Sequence, residues 1–219
     1  MVLSLEPGLA QHQLQPLYDS LFQTGNLVVH GKEHKGQYPP GKGHPFFDQQ
    51  NWRSGYIEML QMSLAYDAIR YDLLNDHLLI QHFSESGSHV VIVNRDYARE
   101  FQLDGHHFFF LEMVEGDGSG LEPGYYEAGY GSGTEIWIRW KKSFSEGSQG
   151  SGQYELSTTH YIKNNNSYFR ITNRKSLLRA FPEREDEIKS YLKKQKISVS
   201  RADTEQLAGI VSYYVEQLK

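Results

Sequence analysis

The sequence predicts a mainly β, α+β protein. It reads as a curved antiparallel β-meander that curls into a half-barrel or barrel-like sheet, with C-terminal helices packed on it. Three observations carry this expectation. Aromatic residues make up 13% of the 219, with 15 Tyr and 11 Phe, and such side chains suit pleated, half-buried strands. Short apolar runs alternate with clusters of Gly, Asn, Asp and Ser, which punctuate strands rather than helices. The connections between those runs are too short for parallel crossovers, which leaves antiparallel pairing.

Taken in order, residues 1–10 (MVLSLEPGLA) read as the remnant of a signal peptide. A helix-breaking Pro-Gly is followed by the small residues Gly8 and Ala10, the pattern that signal peptidase recognises. Residues 11–219 form a single β-rich domain, long enough to bury a substantial core. An apolar run at Leu27–Val29 precedes a Gly/Pro-rich strap, residues 31–55, that carries GKGHPFFDQQNWRSGYI. Phe46, Phe47 and Trp52 are expected to anchor this strap against the sheet.

Strands then follow at GYIEMLQMS and at AIRYDLLNDHLLIQHF, which turns at Asn75-Asp76, and at HVVIVN. REFQLDGHHFFFLEM turns at Asp104-Gly105. YYEAGYGSGTEIWIRWKKSF turns at Gly131–Gly133, and YELSTTHYIKNNNSYFRI turns at Asn164–Asn166. About nine or ten strands result. Phe108-Phe109-Phe110 is too long an apolar run for a half-exposed strand, so both faces should be covered there, by the helices or the strap.

From about residue 175 to 219 the pattern becomes helical. A short helix breaks at Pro182, which then starts an amphipathic helix with Ile188, Tyr191 and Leu192 on one face. Asp203 is placed to cap a last helix, whose stripe is Leu207, Ile210, Val211, Tyr214 and Leu218.

Several function classes are disfavoured. The net charge is −5 and the basic residues are dispersed, so nothing attracts nucleic acid. No apolar run approaches the roughly 18 residues of a transmembrane span. Without cysteine there are no disulfides, thiol nucleophiles or thiolate metal sites. No phosphate loop, dinucleotide fingerprint or nucleophile elbow is present.

Several segments together resemble a large group of uncharacterised secreted proteins of Bacteroidota: GHPFF, IRYDLLNDHLLI, GLEPGYYE and the long run HYIKNNNSYFRITNRKSLLRAFPEREDEIKSYLKKQKISVSR, followed by a terminal YY. Members share a YDxxxDxL strand pair, a GLPPGFYE-like segment and a KSLLxLF…EIKxYLKK helical module. Glu122 stands where the pattern has Pro, and Asn165-Asn166 where Asn-Gly is usual. The resemblance implies a signal peptide, export and a β-rich fold. It implies no activity and no catalytic residues.

Several residues are of the types that catalysis, metal binding or recognition would use. His30 and His34 have the i, i+4 spacing of a helical metal pair but lie in an extended segment. His106 and His107 are adjacent, so in a strand they point to opposite faces. Asp67, Asp72 and Asp76, with Glu58, are a tempting carboxylate set, yet Asp72 and Asp76 flank a hairpin, where Asp favours turn duty. Arg174, Lys175, Arg179, Arg184, Lys189, Lys193, Lys194 and Lys196 make the helical module locally basic, a surface for anionic lipid, lipopolysaccharide or a partner. Glu183, Glu185, Asp186 and Glu187 dilute it, and a solvated helix face is the default reading. His44 and Trp52 in the strap are the binding candidates. No metal, cofactor or catalytic residue is assigned.

The expected function is that of a non-enzymatic accessory protein, periplasmic, secreted or on the cell surface, binding an envelope protein, lipid or glycan. The alternatives are a hydrolase of an envelope polymer and a lipid-carrying half-barrel.

Overall fold

The structure is a computed structural model that describes residues 31–59, 62–84, 87–112, 120–129, 134–147 and 152–216. The signal-peptide remnant, the Leu27–Val29 run, His30, the Gly131–Gly133 turn and Leu218 lie outside the described residues.

Two short strands come first, β1 (Lys32–Glu33) and β2 (Gly41–Lys42). They precede β3 (Arg53–Met59), β4 (Met62–Asp72), β5 (His77–Ser84) and β6 (Gly87–Ile92). Then follow β7 (Ala98–Leu103), β8 (His106–Leu111), β9 (Gly124–Gly129), β10 (Thr134–Glu146), β11 (Gly152–Asn164) and β12 (Ser167–Ile171). Three helices close the chain: α1 (Arg174–Ala180), α2 (Glu185–Gln195) and α3 (Thr204–Glu216). The strands form one sheet in the order β1-β6-β5-β4-β3-β7-β8-β9-β10-β11-β12.

The meander therefore runs in two parts. After β6 the chain returns to place β7 beside β3, antiparallel, and continues outward from there. A second departure is β2, which pairs with β11 in parallel at Gly41–Gly152 and Lys42–Gln153. The sheet is not closed into a barrel, since β1 and β12 end it without pairing to each other.

The turns follow their residue chemistry. Asp104 (φ 51°) and Gly105 (φ 82°) connect β7 to β8, and Asn165 (φ 53°) turns β11 into β12. These left-handed conformations suit two-residue hairpins and are accessible to Asp, Asn and Gly.

The curl is strong. The backbone N–H of Lys142 on β10 donates to the carbonyl of Leu73 in the β4–β5 turn at 3.0 Å, although β3, β7, β8 and β9 lie between those strands in the sheet. The enclosed face is filled by Ile57, Ile69, Tyr71, Leu78, Phe101, Phe108 and Tyr125, each at most 1% exposed. Phe101 and Phe108 stack at 4.7 Å, and Tyr71 meets both edge-on at 5.3 and 5.2 Å, the arrangement that ring quadrupoles favour.

Further along the sheet, Ile136 and Ile138 (β10), Ile162 (β11) and Ile171 (β12) are covered by Leu177 of α1, Ile188 and Leu192 of α2, and Leu207, Ile210 and Val211 of α3. The helices begin where their caps dictate. The side chain of Asn173 accepts from the N–H of Ser176 at the start of α1. Asp203 accepts from the N–H of Gln206 at 2.8 Å before α3. Pro182 opens a short 3-10 turn between α1 and α2, where its missing N–H costs nothing.

The Phe108–Phe110 run is covered on both faces, but not as expected. Phe108 and Phe110 belong to the enclosed core. Phe109 packs on the other face with Leu121, Tyr126, Trp137 and Tyr161, a cross-strand aromatic cluster rather than the helices or the strap.

Candidate functional site

The strap is the segment that sequence chemistry marked, and backbone hydrogen bonds fix its course. Leu73 N–H donates to Pro45 O at 2.9 Å and Phe47 N–H to Tyr71 O at 2.8 Å, so the strap runs along the end of β4. On the other side the Lys142 ammonium donates to the carbonyls of His44 (2.9 Å) and Phe46 (2.6 Å). Tyr154 on β11 donates to Pro39 O at 2.7 Å. Together with the β2–β11 pairing, these contacts tie β4 to β10 and β11 across the mouth of the curl. Glycine is required at Gly152, because a Cβ there would overlap the Phe144 ring.

Phe47 plugs the mouth. It is 6% exposed and meets His106, Phe108 and Trp140 edge-on at 5.0, 5.1 and 5.3 Å. Phe46 takes a different role. With Trp52 it sandwiches the Arg70 guanidinium, which lies 4.7 Å from the Phe46 ring and 4.1 Å from the Trp52 ring. Burial pulls the Arg70 pKa below its ordinary value, and the ring faces compensate the lost water. Trp52 is half-buried, and Asp48, Gln49, Gln50 and Asn51 beside it are exposed.

His44 is half-buried, and its Nδ1 accepts from the N–H of Phe46 at 3.2 Å. No hydrogen bond or ion pair links it to a carboxylate among the described residues. Its pKa is lowered by burial and then by the Lys142 ammonium.

The carboxylate set is not assembled for catalysis. Asp72 is fully buried and accepts from Leu74 N–H (2.9 Å), Asn75 N–H (3.1 Å), the Asn75 amide (2.8 Å) and Tyr38 OH (2.9 Å). This is the turn duty expected of it. Burial, then the Asp72 charge, pushes the Tyr38 phenol up. Asp67 is exposed. Five positions from Asp72 on the same strand, it stands about 17 Å away, with a register irregularity of the β3–β4 pairing between them. Glu58 lies on β3 in register with Glu100 of β7.

Asp76 has a second duty that turn chemistry did not signal. Its carboxylate accepts from Tyr71 OH at 2.6 Å and from Arg139 at 2.8 Å, with Arg95 at 3.6 Å. Arg139, 5% exposed, also donates to Tyr125 O at 2.5 Å. Burial, then the Asp76 charge, raises the Tyr71 phenol well above its ordinary range.

His106 and His107 face opposite sides, as adjacent strand residues must. Each finds a glutamate: His106 lies 2.6 Å from Glu127 and His107 2.5 Å from Glu100. Glu127 also accepts from Trp140 Nε1 at 2.7 Å. The His106–Glu127 pair, beside Phe47, is a polar dyad of the strap region that residue reading missed. Its residues sit 21 apart, and their approach depends on the β8–β9 register that opposes Phe108 to Glu127. His34 packs on Tyr38 at 5.2 Å. No group of three His, Asp or Glu positioned to hold a metal ion occurs among the described residues.

Of the basic helical residues, Arg184 pairs with Glu187, and Lys189 with Glu185 and Asp186. Arg174 and Lys193 line a cleft between the start of α1 and the end of α2.

His44, His77 and His160 all have pKa values lowered chiefly by burial. The folded state thus binds fewer protons than the unfolded chain below the ordinary histidine value of about 6.5. Stability rises with pH where the unfolded state holds more protons, so here it falls as pH drops below about 6.5. Urea midpoints should decline between pH 7.5 and 5.5, and the triple His→Gln variant at these positions should flatten that decline. An equal decline in the triple variant would contradict this assignment.

No known protein family, curated protein or solved structure matches this chain.

Proposed function

We propose that the protein is a non-enzymatic accessory protein, secreted or resident in the cell envelope, that binds a glycan through its strap. One observation carries this reading. The Arg70 guanidinium lies over the Trp52 ring at 4.1 Å, and the residues that precede Trp52 in the chain, Gln49, Gln50 and Asn51, are exposed. A rigid aromatic face beside amide donors and acceptors is what a sugar ring needs, with apolar C–H faces for the ring and hydroxyls for the amides. Asp72, the buried acid against which the strap's Tyr38 is bonded, is committed to four internal donors, which supports binding over catalysis. The resemblance to exported proteins supports the envelope or secreted location.

A hydrolase is the second reading, favoured by the His106–Glu127 contact at 2.6 Å. A lipid carrier is less well supported, because Phe101, Phe108, Tyr71 and Tyr125 fill the enclosed face.

Titration of neutral cello-, xylo- and malto-hexaose into the protein, with chromatography of any products, separates these readings. Saturable binding to at least one, without new reducing ends, is expected. Trp52→Ala should weaken it at least tenfold with the melting temperature held within a few degrees. Turnover abolished by Glu127→Gln in a folded variant would establish the hydrolase instead, and absence of binding to all three would overturn the glycan reading.

A further inference from the structure

The helical module carries a second surface, built from residues that the strap does not use. The 3-10 turn Val199–Arg201 separates two adjoining clefts that share Val199 and Ser200. One, of about 580 Å³, lies between the start of α1 and the end of α2, with Arg174, Lys189, Lys193, Ser190 and Ser198 among its walls. The other, of about 430 Å³, lies between β11, β12 and the same turn. Arg170, Arg201, Thr158, Thr159 and Thr172 are among its walls.

The charge pattern is one-sided. In a chain with 27 acidic and 22 basic residues, the two linings hold five Lys or Arg side chains and no Asp or Glu. Lys189 is neutralised by Glu185 and Asp186. Arg170, Arg174, Lys193 and Arg201 are exposed and form no ion pair among the described residues. The floor is apolar and already packed, since Leu192, Val199 and Leu207 are 5%, 7% and 1% exposed.

We propose that these two clefts form a binding site for an extended anionic oligosaccharide. Arginine presents a planar fork that meets a carboxylate or sulfate in a bidentate way. Cations on both sides of one turn suit a ligand that carries charges along its length. The Ser and Thr hydroxyls between them exchange hydrogen bonds with sugar hydroxyls. An anionic bilayer is the poorer fit, because membrane-binding surfaces combine cations with protruding apolar side chains, whereas here the apolar residues form the buried floor. The site shares no residue with the Trp52 platform, so each can fail without the other.

The test is calorimetric titration of the full chain with a hexamer of galacturonate, which carries carboxylates, and with a heparin-derived hexasaccharide, which carries sulfates. Maltohexaose and vesicles of equal phosphatidylcholine and phosphatidylglycerol serve as comparison arms. Saturable one-to-one binding to at least one anionic hexasaccharide is expected, weakening as salt rises. The pairs Arg170→Ala/Arg201→Ala and Arg174→Ala/Lys193→Ala should each weaken it at least tenfold. These are exposed positions, so circular dichroism and melting temperature should stay unchanged, and Trp52→Ala should leave this binding intact. The proposal is overturned if neither anionic hexasaccharide binds, if the four cation substitutions leave affinity unchanged, or if the vesicles bind and the oligosaccharides do not.

Discussion

Replacing Asp76 by alanine is expected to destabilise the protein by about 3–5 kcal/mol, the cost of leaving a buried charge without its partner. Arg139 is the charge left behind. It is 5% exposed, its Nε is buried without a hydrogen-bond partner, and Asp76 is its anion at 2.8 Å. Tyr71 would lose its 2.6 Å acceptor in the same step. Gly124 shows how closely the network is packed, because a Cβ at this φ of 156° would sit on the Arg139 guanidinium. Urea denaturation of Asp76→Ala, Arg139→Met and the double variant checks the assignment. The double variant should recover part of the loss, since an apolar replacement removes the stranded charge along with its partner. Strictly additive losses would mean that the two side chains do not act as a pair.

The second large effect is expected at Phe47. Truncation to alanine should cost about 3–5 kcal/mol, as for other buried aromatic side chains. Phe47 touches the enclosed core through Phe108 and the helix-covered part of the sheet through Trp140. Phe47→Leu keeps apolar volume but loses the edge-on ring contacts, so a smaller loss is expected. If Phe47→Ala cost less than about 1 kcal/mol, measured by urea denaturation, the ring would not be the plug described.

Much of this fold is legible in local chemistry. Asp104-Gly105 and Asn165 demand left-handed turns, and alternating apolar residues set the strand faces. Asp203 and Pro182 mark helix starts, and the His106-His107 dipeptide splits across the sheet for reasons of pleat alone. Non-local pairing was not legible. Nothing in Ala98–Leu103 says that it returns to β3 rather than extending past β6. Nothing in Gly41–Lys42 announces a parallel pair with β11. The strap shows the same division. Its glycines and rings mark it as a packed, shaped segment, anchored by Phe46 and Phe47. The partners of those rings, Arg70 and Lys142, are 18 and 98 positions away from Trp52 and His44. Likewise Asp76 was recognisable as a turn residue, but its ion pair with Arg139 spans 63 residues. Such contacts arise from the curl of the whole sheet, which single-segment periodicity does not encode.

These contacts make the strap a structural closure of the curled sheet that holds the Trp52 ring as a fixed platform. Native-state hydrogen exchange tests this at three amides: Phe47, donating to Tyr71 O; Leu73, donating to Pro45 O; and Lys142, donating to Leu73 O. All three should be protected to the level of global unfolding and should lose protection with the same denaturant dependence as the enclosed strands. Exchange of Phe47 and Leu73 through a local opening, several kcal/mol below the global value and insensitive to denaturant, would show a mobile lid and contradict the account.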